Sequence, residues 1–118
     1  MTYSLIFYEA PSDFQRRESA EAGAYWGAWS AYIDEMADAD VLVRGVGAGL
    51  QPPETATVVR GSQIHDGPVA DTREQLAGFV AITVDSLDEA IIWAQKAPVS
   101  GEGAVEIRPI LPAPDSSE

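Results

Sequence analysis

Apolar and polar positions along the chain change period several times, and each change predicts an element. Residues Tyr3–Tyr8 (YSLIFY) form a β-branched and aromatic run, apolar on both sides, which predicts a first strand. Pro11 and Ser12 end it. From about Ser12 to Ala39 the period becomes helical: Ala22, Trp26, Trp29, Ile33 and Met36 recur at steps of three and four and share one stripe. Ser12 and Gln15 have capping-box spacing at its start. Glu18, Glu21, Asp34, Glu35 and Asp38 fall off the stripe and are expected in solvent. Gly23 and Gly27 each cost about 1 kcal/mol against alanine in a helix. They mark either a close approach to the sheet or a break into two helices; a single helix is the simpler expectation.

Val41–Val46 predicts a second strand, leading into Gly45–Val46–Gly47–Ala48–Gly49. A dinucleotide loop needs G-x-G-x-x-G opening a helix. Here the spacing is G-x-G-x-G and Gln51–Pro52–Pro53 follows, so a bulged strand end is expected. Thr55–Arg60 and Gln63–His65 predict a hairpin around Gly61–Ser62. Gly78–Val84 is a strong strand. Ser86–Leu87–Asp88–Glu89 is a capping box, and the helix after it puts Leu87, Ala90, Ile91 and Ala94 on one face before Pro98 stops it. Ala104–Arg108 is the last strand. Leu111–Glu118 is expected to be a flexible acidic tail on a single domain of residues 1–110.

The order predicts an α+β fold, a ferredoxin-like βαββαβ antiparallel sheet with an extra β-hairpin. Val80, Ile82 and Val84 oppose Phe79, Ala81 and Thr83 on the strong strand, and the first strand is likewise apolar on both sides. An antiparallel sheet with one wet face alternates more cleanly than this. A homodimer joined through the sheet face is therefore expected.

Composition narrows the function. Nineteen acidic against seven basic residues give a net charge of −12, and the bases are scattered. Phosphate backbones and anionic membranes would be repelled, so neither nucleic acid nor membrane is expected as a partner. The absence of cysteine removes thiolate chemistry and disulfides, and fits a cytoplasmic protein. A lone histidine without H-x-H or H-E-x-x-H argues against zinc, and no cofactor motif is present.

Candidate chemistry concentrates in the connection His65–Phe79. His65 and Asp66 are the candidate acid–base pair, with a histidine suited to proton transfer near neutral pH. If the strand runs through both, their side chains point to opposite faces and do not meet. Asp66 before Gly67–Pro68 is also a good turn former in its own right. Arg73 would hold a substrate carboxylate through its fork, with Asp71 beside it, or Asp71, Arg73 and Glu74 would form a surface ion-pair cluster. Tyr25, Tyr32 and Trp29 are expected in the core, with one tyrosine reaching the cleft between helix and loop and Tyr25 the candidate substrate-binding residue.

The run Asp66-Gly67-Pro68-Val69-Ala70-Asp71-Thr72-Arg73-Glu74-Gln75-Leu76-Ala77-Gly78-Phe79 resembles the DGPF motif of the YCII-related proteins. Leu50–Ala56, Asp85–Ala90 and Val105–Pro109 resemble further segments of that family. The resemblance implies a dimeric α+β barrel type of assembly in a bacterial, cytoplasmic protein. It also implies a His–Asp pair in the wider family, one member of which is a dehydrochlorinase acting on an aromatic ring. Val69 departs from the motif's phenylalanine, and Asp71 and Arg73 replace Glu and Lys, a change of reach at equal charge. The wider family's histidine lies on the first helix, where this chain offers Tyr25 and Tyr32, so the pair does not carry over. Two readings follow. One is a small-molecule-binding protein acting as a cofactor-independent lyase or isomerase near residues 65–79. The other is a non-catalytic ligand-binding or accessory protein.

Overall fold

The computed structural model describes residues 1–112; from residue 113 the expected tail lies outside the described residues. Four strands form an antiparallel sheet in the order β2-β5-β1-β6: β1 (Thr2–Glu9), β2 (Leu42–Gly49), β5 (Gln75–Thr83) and β6 (Ala104–Pro109). A separate hairpin joins β3 (Thr57–Arg60) to β4 (Gln63–Asp66). The helices are α1 (Pro11–Arg16), α2 (Ala22–Asp38) and α3 (Leu87–Gln95).

The alternation in β1 is strict. Tyr3, Leu5, Phe7 and Glu9 are buried, while the residues between them are half-exposed. Leu5 pairs with Val80 on one side and Ile107 on the other, so these residues share the face that α2 and α3 cover. Tyr32 and Met36 come down from α2 and Ala90 from α3 to close that core. Full burial of a residue such as Leu5, Ile82 or Met36 stabilises by roughly 1.5–3 kcal/mol. The Tyr32 hydroxyl donates to the Trp93 carbonyl at 2.8 Å and ties the two helices together.

Three expectations change. The stretch Ser12–Ala39 is two helices, with a turned segment at residues 17–21 between them. The break therefore precedes Gly23 and Gly27. The first helix starts one residue earlier than Ser12, with Ala10 as N-cap and its backbone N–H donating to the Asp13 carboxylate at 3.3 Å. Asp13 also accepts from the Ser100 hydroxyl at 2.7 Å, which explains a buried acid there. Second, the buried stripe of α2 is Tyr25, Tyr32 and Met36 with Trp29 and Ile33 at its margin, and Trp26 is 45% exposed. The helix is turned so that its tyrosines face the sheet. Third, α3 buries Ala90 and leaves Leu87 and Ile91 exposed, because a small residue allows the short helix to sit close on the sheet. Its Ser86 cap is as expected, accepting from the Glu89 N–H at 3.2 Å.

The glycine-rich strand end is a bulge. Leu42 pairs with Ile82 and Gly47 with Val80, so a five-residue step on β2 spans a two-residue step on β5. Gly45 and Gly47 take positive φ there, at 79° and 127°. Beside this bulge a cleft lies between β2 and α2.

Candidate functional site

The alternation Tyr3–Leu5–Phe7 continues one step further and puts an acid where an apolar side chain belongs. Glu9 is fully buried at the end of β1. Such a charge persists only if paired and hydrogen-bonded. The pairing comes from the segment between α1 and α2. Arg17 lies 3.3 Å from the Glu9 carboxylate, and the Tyr25 hydroxyl lies 2.6 and 2.8 Å from its two oxygens. The Arg17 Nε–H donates to the Tyr25 hydroxyl oxygen at 3.3 Å. Its remaining nitrogens donate to the Leu50 carbonyl and, at 3.4 Å, to the Ala77 carbonyl. The guanidinium also stacks against Phe14 and Trp26. One arginine thus joins β1, α2, the end of β2 and the irregular start of β5.

Burial pushes the Glu9 carboxyl above the ordinary carboxylate range, with the charge of Asp13 adding to it; the Tyr25 hydrogen bond and the Arg17 charge oppose the shift. Burial, reinforced by the hydrogen bond to Glu9, pushes the Tyr25 hydroxyl up to about 12. Tyr25 therefore stays protonated and donating across the physiological range.

This cluster forms the end of a cavity of about 410 Å³ between α2 and the β2–β5 part of the sheet. Trp26, Trp29 and Ile33 of α2, Phe7 of β1 and the β2 residues Leu42–Gly49, Arg44 among them, line it. Phe7 and Trp29 meet edge to face at 4.8 Å, as do Tyr25 and Trp26. The Trp29 indole N–H is buried in this wall with no hydrogen-bond partner among the described residues. A second, more polar cavity of about 550 Å³ lies beyond Arg17, Trp26 and Gly49, bordered by Gln15, Gln51, Arg73 and Gln75. Among the described residues no three His, Asp or Glu side chains converge in a way that would hold a metal ion.

The five residues singled out from the sequence are dispersed. Tyr25 lines the first cavity and Arg73 borders the second. His65 and Asp66 occupy successive positions of exposed β4, opposite Val58 and Thr57, and border neither cavity. The His65 Nε2 lies 3.3 Å from the Gln63 side-chain oxygen. Asp71 is exposed on the loop leading to β5, and Arg73 pairs with Glu102 at 3.1 Å. Glu9 and Arg17 were missed by sequence reasoning. The signal for Glu9 is an acid in the buried register of an alternating strand. Arg17 carries none, because reading 12–39 as one helix leaves it among scattered surface bases.

Among the described residues, no helix is long and apolar enough to cross a membrane. Residues 1–114 match the YCII-related domain. A relative, an uncharacterised protein of Rhizobium meliloti (strain 1021), is 36% identical over 99 residues, covering 70% of this chain and 80% of that protein. The sheet, its helices and the match along nearly the whole chain together make this protein a member of the YCII-related family.

Proposed function

We propose that the chain is a small-molecule-binding protein whose site is the cavity between α2 and the β2–β5 edge. The observation that carries this reading is the joining of an apolar, aromatic wall to a buried Glu9–Tyr25–Arg17 cluster at one end. Ligand sites combine these two features: apolar surface for affinity and a few fixed polar groups for orientation. The strand order β2-β5-β1-β6 with α2 and α3 on one face supports a ferredoxin-like reading. Ile6 and Phe79 pair on the opposite face and are part-exposed, which supports a homodimer joined there. Sedimentation equilibrium returning a species of 12.6 kDa at micromolar concentration contradicts the dimer.

A second reading, cofactor-independent proton transfer of the lyase or isomerase kind, is favoured by the raised carboxyl of Glu9 at the cavity's end. A carboxylate in that state is a better general base than an exposed one. It would take a proton from an acidic C–H of the guest and return it to a neighbouring atom. Because Glu9 has no exposed surface, a guest reaches it only after Tyr25 or Arg17 swings aside.

A thermal-shift screen of small organic compounds tests both. Hits should stabilise wild type, Asp66→Asn and Arg73→Ala alike, and fail on a variant with the cavity filled. Hits that act equally on the filled variant overturn the reading. Incubating hits in deuterated buffer separates the two functions: deuterium uptake with wild type and none with Glu9→Gln identifies proton transfer, and no uptake identifies binding alone.

A further inference from the structure

Resting on that reading of the cavity, we infer that its guest is an apolar carboxylate whose anionic end pairs with Arg44. Three charged residues line the cavity: Glu9, Arg17 and Arg44. Glu9 and Arg17 answer each other at 3.3 Å, so the charge left over is positive. Arg16, Arg17, Arg73, Lys96 and Arg108 each have a carboxylate partner, and Arg44 and Arg60 have none among the described residues. In a chain with nineteen acids and seven bases, an unanswered arginine is the exception. Arg60 lies on β3 and borders neither cavity, whereas Arg44 is exposed on β2 at the mouth of an aromatic one.

The strand register sets the two polar ends apart. Gly49 pairs with Gly78, next to the Ala77 carbonyl that Arg17 engages. Arg44 stands in the bulge between Leu42 and Gly47, which pair with Ile82 and Val80. That lies two to four residues further along β5, roughly 7–13 Å at about 3.3 Å per residue. An anion at Arg44 is thus held away from the Glu9 charge, while its apolar body lies against Trp26, Trp29, Ile33 and Phe7. A guanidinium fork takes a carboxylate through two parallel hydrogen bonds. Arg17 offers no competing fork, since Tyr25, Glu9, Leu50 and Ala77 occupy four of its five N–H groups. Arg73, the carboxylate holder expected from the sequence, is engaged by Glu102 and borders the other cavity. The Trp29 indole N–H, buried in the lining without a partner among the described residues, is likewise a donor. What the lining lacks is an acceptor.

Three probes sharing one ring system test this by ¹H–¹⁵N spectra of the full chain: 2-naphthoate, anionic; 2-naphthol, uncharged at neutral pH; and 2-naphthylmethylammonium, cationic. 2-Naphthoate should shift the Trp26 and Trp29 indole signals and bind at least tenfold more tightly than either of the others. Arg44→Gln should lower its affinity at least tenfold, to that of 2-naphthol, with 2-naphthol binding and the melting temperature as in wild type. Arg60→Gln, which removes the same charge outside the cavity, should bind 2-naphthoate as wild type does. The inference is overturned, and the cavity left as a binding site, if 2-naphthol or the cation binds as tightly as 2-naphthoate. Undiminished 2-naphthoate affinity in Arg44→Gln, or an equal loss in Arg60→Gln, overturns it as well. Indole signals unmoved by all three probes overturn both it and the reading beneath it.

Discussion

The Tyr25 hydroxyl sits between the two carboxylate oxygens of Glu9, at 2.6 and 2.8 Å, sixteen residues away in sequence. That contact joins the end of the central strand to the first turn of the long helix, and Arg17 completes it from the segment before that helix. The stability of the fold and the shape of the cavity meet in these three side chains.

Removing either partner should be costly, and unequally so. Arg17→Met leaves a buried carboxylate without its cation, a loss of about 3–5 kcal/mol for breaking a buried pair. Tyr25→Phe deletes a hydrogen bond to a charged group, a loss of about 1.5–3 kcal/mol. Urea unfolding followed by tryptophan fluorescence checks both values. A loss below 1 kcal/mol for Arg17→Met contradicts the pairing.

Glu9 should leave a signature in the pH dependence of stability. Its carboxyl in the folded chain is raised above the ordinary value of 4.5, mainly by burial. The folded state therefore keeps this proton to higher pH than the unfolded state does. Its contribution is fully present below pH 4.5 and is lost as pH rises through the folded value. Wild type minus Glu9→Gln, measured by urea unfolding at a series of pH values, should fall with rising pH across that window. A difference that rises with pH contradicts the shift.

Two neighbouring glycines should behave differently on substitution. Gly47 has φ of 127° and its Cβ would lie 2.5 Å from the Phe79 carbonyl oxygen, so Gly47→Ala should destabilise by more than 1 kcal/mol. Gly49→Ala meets open space and should leave the melting temperature within a degree or two of wild type. Differential scanning calorimetry of the pair checks the contrast.

The exposed loop should tolerate change. Arg73 and Glu102 are 68% and 59% exposed as side chains, and a surface pair of this kind is worth about 0–1 kcal/mol. Arg73→Ala should therefore unfold within 1 kcal/mol of wild type in urea. A larger loss would assign the loop a structural role.

The strands, α3 and its Ser86 cap were legible in the sequence because each rests on local rules: alternation, a capping pair, a proline stop. The coarse α+β arrangement followed from their order. The long stretch 12–39 was read as continuous because its period carries across the turn at 17–21, where no proline or glycine marks the break. That misreading hid Arg17, whose partners are distant in sequence: Leu50 and Ala77 are 33 and 60 residues away. Glu9 was hidden by ending the first strand at Tyr8. The density of charged residues after His65 drew attention to a segment that the fold leaves largely in solvent. Tyr25, named from the sequence as a candidate for a cleft between helix and loop, lines the cavity between α2 and the β2–β5 part of the sheet.

Mapping a thermal-shift hit onto the protein by amide and indole chemical-shift changes tests the central claim most directly. The account predicts perturbations at Gly49, Trp26 and Trp29, with Arg17 and Ala77 behind them and residues 65–71 unmoved. Perturbations confined to His65, Asp66 and Asp71, with Gly49, Trp26 and Trp29 silent, would contradict it.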